Sequence, residues 1–148
     1  MNERLKSIVD LKKYPIYDLN SPTIKNLIKK CKKELDQYSC STIPNFILPK
    51  SLKIMNSELK NQLDEVYMSK ESINPYLYSK DNPKLPKDHP KRTFMNRYNG
   101  YLNSDCFPKN SEMKYLYETE ELLKFVSACL GISPIYRWAD PLACHAYN

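Results

Sequence analysis

Glycine is almost missing from this chain of 148 residues, which contains 2. Loops that cradle phosphate need glycines at fixed spacing so that the backbone can approach the oxygens. The GxGxxG and GxxxxGK[ST] classes of nucleotide-binding protein are therefore excluded. Neither a GxSxG nor an HExxH signature occurs. A complete β-rich domain also spends glycines on turns and bulges with positive φ. Two glycines imply a chain that is mostly helical, or one from which a turn-dense part of the fold is missing.

Histidine is as scarce, with His89 and His145 only. Neither opens a His-x-Asp or His-x-Glu, because Pro-Lys follows the first and Ala-Tyr the second. An iron centre of two histidines and one carboxylate would need both of them and a distant acid, so no metal ligand and no catalytic residue is assigned. No apolar run approaches the roughly 18 residues of a membrane helix, and the basic, polar N-terminus lacks the apolar stretch of a secretory leader. The expected setting is cytoplasmic, without a membrane partner. The cysteines are five, at 31, 40, 106, 129 and 144, with no CxxC pair. An odd, scattered set speaks against a disulfide framework and against a zinc site. Cys31 and Cys129 fall on apolar helix faces, where a reduced thiol acts as a small hydrophobe.

What is present is the composition of a soluble globular protein, 41% apolar and 27% charged. The net charge of +6 is placed unevenly: residues 1–60 hold 12 Lys/Arg against 6 Asp/Glu, and residues 61–148 hold 11 against 11. The excess centres on Lys29, Lys30, Lys32 and Lys33. It reads either as a patch for an anionic partner or as the solvated face of an amphipathic helix, and the solvated face is the preferred reading.

Residues 1–20 carry no clean period and are expected to form a lead-in segment. Ser21-Pro22 is a helix start, with serine as N-cap and proline in the first turn. Ile24, Leu27, Ile28, Cys31 and Leu35 then follow one buried stripe, ending near Tyr38. Asn45–Pro49 opens a second helix whose stripe is Leu52, Met55, Leu59, Leu63 and Val66. Periodicity fails from about 69 to 110, where prolines and tyrosines are dense; a loop this long is more often a functional wall or lid than idle linker. A short strand is expected around Arg92–Tyr98. Ser111 and Thr119 are read as caps of two further helices, the second with a stripe of Leu122, Leu123, Val126 and Leu130 and a stop at Gly131. Ile135–Trp138 reads as a strand and Ala143–Tyr147 as the start of another, so the chain ends in mid-strand with an unpaired edge.

From Tyr38 onward the order of motifs resembles the iron(II)/2-oxoglutarate-dependent oxygenases of the BesD/HalD-like kind, the free-amino-acid hydroxylases and halogenases. The matching segments are Asn45-Phe46-Ile47-Leu48-Pro49, the loop Leu85-Pro86-Lys87-Asp88-His89-Pro90-Lys91-Arg92, and the pair Leu116-Tyr117. They continue with Leu122–Gly131, reading LLKFVSACLG, and Ile135–Leu142, reading IYRWADPL. The resemblance covers about two thirds of the chain, and the ordering is more specific than any one segment.

That resemblance implies an α+β fold. Amphipathic helices would flank a double-stranded β-helix (jelly-roll or cupin-like) core, of which only the first strands are present in 21–148. The C-terminal half holding the metal would be absent, so the chain is expected to be inactive alone, as a truncated or split gene product. Iron(II) and 2-oxoglutarate are implied for an intact homologue and are not expected to be bound by this chain alone. The substrate would be an amino acid or similar small molecule, hydroxylated or halogenated. His89 and Arg92 are candidates for shaping the substrate pocket or gripping a carboxylate, a task suited to a guanidinium fork, and Asp140 for orienting the strand that follows, although a turn before Pro141 is the preferred role. A homo-oligomer or a complementing C-terminal fragment is a further expected partner, and nucleic acid is not. The reading from another class is a small basic helical module that binds nucleic acid or an acidic partner through Lys29–Lys33; a plain interaction protein has no positive signal.

Overall fold

A computed structural model describes residues 2–140 together with the backbone of 145–147. The described residues make an α+β protein of two compact units, 2–61 with 107–140 and 62–106 with 145–147.

The first unit is helical: α1 (Glu3–Ile8), α2 (Pro22–Tyr38), α3 (Pro49–Lys60), α4 (Glu112–Glu118) and α5 (Glu120–Leu130). Helix α2 starts as its sequence dictates, with the Ser21 hydroxyl accepting the Ile24 N–H and proline in the first turn. It stops where Ser39 turns left-handed at φ 56°. Residues 2–20 differ from a lead-in. Leu5, Ile8, Val9, Leu11, Tyr14 and Ile16 are all buried and lie in one apolar cluster with Ile24, Cys31, Met55, Leu116, Phe125 and Cys129. Irregular backbone hides such a role, because after α1 the apolar residues follow turns and a single bridge between Val9 and Ile47, not a period. The ring of Phe46 links this segment to α5, lying 5.8 Å from Tyr14 and 6.2 Å from Phe125 between centroids.

Two helices turn inward only part of the face that their apolar residues suggest, with Met55 of α3 and Leu122 and Cys129 of α5 at the core. Helix α3 ends at Lys60, before Leu63 and Val66, and buries Ser51 and Met55 while Leu52 is exposed. The reason is polar: the Glu58 carboxylate accepts the Ser111 hydroxyl at 2.8 Å and the Glu112 N–H at 3.0 Å, and Ser51 bonds the Glu112 side chain. Capping the start of α4 in this way satisfies donors that its first turn would otherwise leave open. Helix α5 buries Phe125 and Cys129, not Val126 and Leu130, which are exposed. Its stop at Gly131 is as expected, at φ 70°. Thr119 precedes it but does not cap it with its side chain; the hydroxyl donates instead to the Leu116 carbonyl at 2.8 Å.

The second unit is an antiparallel sheet in the order β1 (Tyr67–Ile73), β2 (Met95–Leu102), β3 (His145–Tyr147). In its register Tyr67 faces Tyr101, Lys70 faces Tyr98 and Ile73 faces Met95. β1 starts two residues before the stretch expected to be loop and runs into it; the pattern does not reveal it because six of its seven residues are exposed or half-buried, leaving no alternation of apolar and polar. β2 begins three residues later than the expected strand. Ile135–Trp138 is irregular, not a strand: the Trp138 N–H donates to the Tyr117 hydroxyl at 2.9 Å, and Arg137 pairs with Glu120. Of the expected strand 143–147, residues 145–147 form β3 and 143–144 lie outside the described residues, as does Cys144. Among the described residues no helix is long and apolar enough to cross a membrane.

Candidate functional site

The second unit carries the proline-rich loop 74–92, and its side-chain bonds make it a built object. Asn74, just after β1, is 1% exposed and bonds through both ends of its amide. Its Oδ1 accepts the N–H groups of Tyr76 at 3.0 Å and Tyr78 at 3.1 Å, while Nδ2 donates to the Lys91 carbonyl at 2.6 Å. Its backbone closes the same turn, with Asn74 N–H to the Tyr78 carbonyl and Leu77 N–H to the Asn74 carbonyl. A buried amide left unpaired would be costly, so these bonds fix both strands of the loop at once. The turn also forces Leu77 to φ 65°, a left-handed conformation that is strained for a residue with a branched side chain.

At the far end of the loop Arg92 is clasped. Its Nε and Nη2 donate to the two oxygens of Asp81 at 2.9 and 2.8 Å, and Nη1 donates to the Leu85 carbonyl at 3.1 Å. This fork holds the Asp81 carboxyl below the usual range, chiefly through the hydrogen bonds from Arg92, and raises Arg92 in turn. His89 caps the 3-10 turn Pro90–Arg92: its Nδ1 accepts the Lys91 N–H at 3.1 Å, which places the proton of the neutral ring on Nε2. The Lys91 ammonium lies over two exposed rings, 5.4 Å from the centroid of Tyr76 and 5.8 Å from that of Tyr78.

The three residues singled out from the sequence thus separate. His89 and Arg92 stand at the two ends of one turn and both work as loop fasteners. Asp140 belongs to the first unit, exposed at the end of the irregular stretch 135–140. The residues overlooked are Asn74, Tyr76, Tyr78, Asp81 and Lys91. Asn74-Pro75 was a usable signal, because Asn-Pro starts turns and the asparagine side chain bonds backbone two residues on.

The first unit has its own cleft of about 610 Å³ beside the start of α5, lined by Tyr17, Tyr115, Glu118, Glu120 and Glu121 among others. Glu120 is drawn below the ordinary carboxylate range by its hydrogen bond with Arg137.

These donors do not fit the iron and 2-oxoglutarate that the sequence resemblance implies. Among the described residues no three His, Cys, Asp or Glu side chains converge. The Nδ1 of His89 is taken by a backbone N–H, and the guanidinium fork that would grip a carboxylate already grips Asp81. No protein-family model, no curated protein and no solved structure matches the chain.

Proposed function

We propose that the chain is the N-terminal portion of an iron(II)/2-oxoglutarate-dependent oxygenase that acts on an amino acid or a similar small molecule, and that it has no turnover by itself. In this reading the helical unit flanks a jelly-roll core, β1–β3 are its first strands, and metal and co-substrate are held by residues outside this chain.

The observation that carries the reading is the loop Leu85–Arg92. It is one of the segments whose order resembles that family, and its own hydrogen bonds hold its shape. A wall that positions a small substrate has to keep its shape without the substrate. Here Asp81, Leu85, His89 and Arg92 tie the loop to itself through four hydrogen bonds. His89 and Arg92 then shape the pocket by holding the wall, and direct contact with a substrate carboxylate falls to other groups.

Two measurements test this. Purified chain given iron(II), 2-oxoglutarate and oxygen should form no succinate; turnover would sink the claim that it is inactive alone. The coding sequence downstream of codon 148 should encode a Gly-Asp turn followed by a His-x-Asp, in some frame. Unrelated sequence there would remove the basis for the family.

A further inference from the structure

We propose that the loop 74–92 is a binding surface for single-stranded nucleic acid, with Tyr76 and Tyr78 as stacking rings and Lys80, Lys84, Lys87 and Lys91 as phosphate contacts. The proposal does not rest on the oxygenase reading.

Three observations carry it. First, the turn spends strain to present rings rather than to bury them. Leu77 is left-handed and 69% exposed, and the tyrosines on either side of it are 52% and 58% exposed. The turn that Asn74 closes holds an apolar residue in a sparsely populated backbone region and leaves it in water, and such strain gathers at functional sites. Second, one buried residue positions both chemistries. Asn74 accepts from the backbone of both tyrosines and donates to the backbone of Lys91, so the stretches of backbone that bear the rings and the ammonium are tied together. The Lys91 ammonium lies 5.4 and 5.8 Å from the two ring centroids, so a cation stands beside a base stacked on either ring. Third, the loop is basic in detail. Arg92 and Asp81 neutralise each other, which leaves four lysines against Asp88. Lys80, Lys84 and Lys87 are exposed, and among the described residues none of the three forms an ion pair.

Exposed rings interleaved with ammonium groups are what sequence-tolerant single-strand binders use. Every base offers a face to stack on, and the lysines follow the backbone. A duplex hides those faces inside its own stack. A lipid surface would prefer a broader apolar tip than Leu77 alone supplies.

The test is fluorescence anisotropy with labelled oligothymidylate and oligouridylate about 12 nucleotides long, beside the matching duplex and anionic phospholipid vesicles. The wild-type chain should bind the single strands better than the duplex, with a log-log salt slope of about −2 to −3 if three or four phosphates are engaged. The double variant Tyr76→Ala/Tyr78→Ala should weaken binding by about ten-fold or more. Both side chains are more than half exposed, so the variant should keep its circular dichroism. Lys91→Ala should flatten the salt slope by about 0.7. The proposal is overturned by absence of binding at low salt, by equal or tighter binding of the duplex, or by binding to vesicles alone. It is also overturned if the tyrosine variant binds normally while replacement of Lys25, Lys29 and Lys33 by alanine abolishes binding, which would place the nucleic acid on α2.

Discussion

Asn74 joins a turn of strained backbone, two aromatic residues and the lysine-bearing 3-10 turn, all through one side-chain amide. Replacing it by alanine removes three hydrogen bonds and leaves backbone groups near a buried site without partners. The expected cost is about 1–3 kcal/mol, read as a lower urea midpoint; a variant as stable as the wild type would show that water replaces the amide at no cost. The Arg92–Asp81 fork makes a prediction in pH. Because the carboxyl of Asp81 is held low in the folded chain, its contribution is fully present above the unfolded carboxylate value of about 3.9. It is lost as pH falls through the lower folded value. The Arg92 Nε–H signal in an NMR titration should therefore persist through pH 4 and collapse only below it. In Asp81→Asn that acid transition should be missing.

Helices α3 and α5 show what a single apolar stripe can mislead about. Existence, start and stop of α2 and α5 were legible, because Ser21-Pro22 and Gly131 act through local backbone chemistry that needs no partner. The inward face was legible only in part (Met55, Leu122 and Cys129), because the rest depends on what lies opposite. Phe46 offers a ring to Phe125, and Ser111 and Glu112 offer polar groups to Ser51 and Glu58. Neither partner is visible from the helix itself. Phe125→Ala should therefore cost about 3–5 kcal/mol, and Val126→Ala well under 1, in denaturant melts of the two variants. Equal costs would return α5 to the face that its leucines suggest. β1 was illegible for a related reason: a strand exposed on both faces carries no period-two signal. His89 and Arg92 were located in a real turn, but their work in it depends on Asp81 and Lys91, and pairing of that kind is invisible in spacing.

At the scale of the molecule, the helical unit is assembled from two stretches of chain with the sheet-forming stretch between them. Residues 2–16 are central to it. Arg4 donates to the Asn110 carbonyl at 2.8 Å and stacks its guanidinium 4.0 Å from the Tyr115 ring centre, and the Tyr115 hydroxyl donates to Asn2. Removing residues 2–20 should leave an insoluble or molten chain, without cooperative thermal unfolding, whereas loss of a mere leader would leave a sharp transition in place. The thiols of this core should be silent while it stands. Cys31 and Cys129 are buried, and burial pushes Cys129 up to about 12, so among the described thiols exposed Cys40 should react first with a thiol reagent.

The long reach from Asn2 to Tyr115 also sets an order of events during synthesis. Residues 5–16 hold many of the core's apolar groups, yet their partners in α4 and α5 are translated roughly a hundred residues later. Until then Leu5, Ile8 and Ile16 have no completed core to enter, and closing so long a loop is slow. For several seconds, at about 5–20 residues per second, the apolar groups of residues 5–16 wait in the growing chain for the helices that cover them.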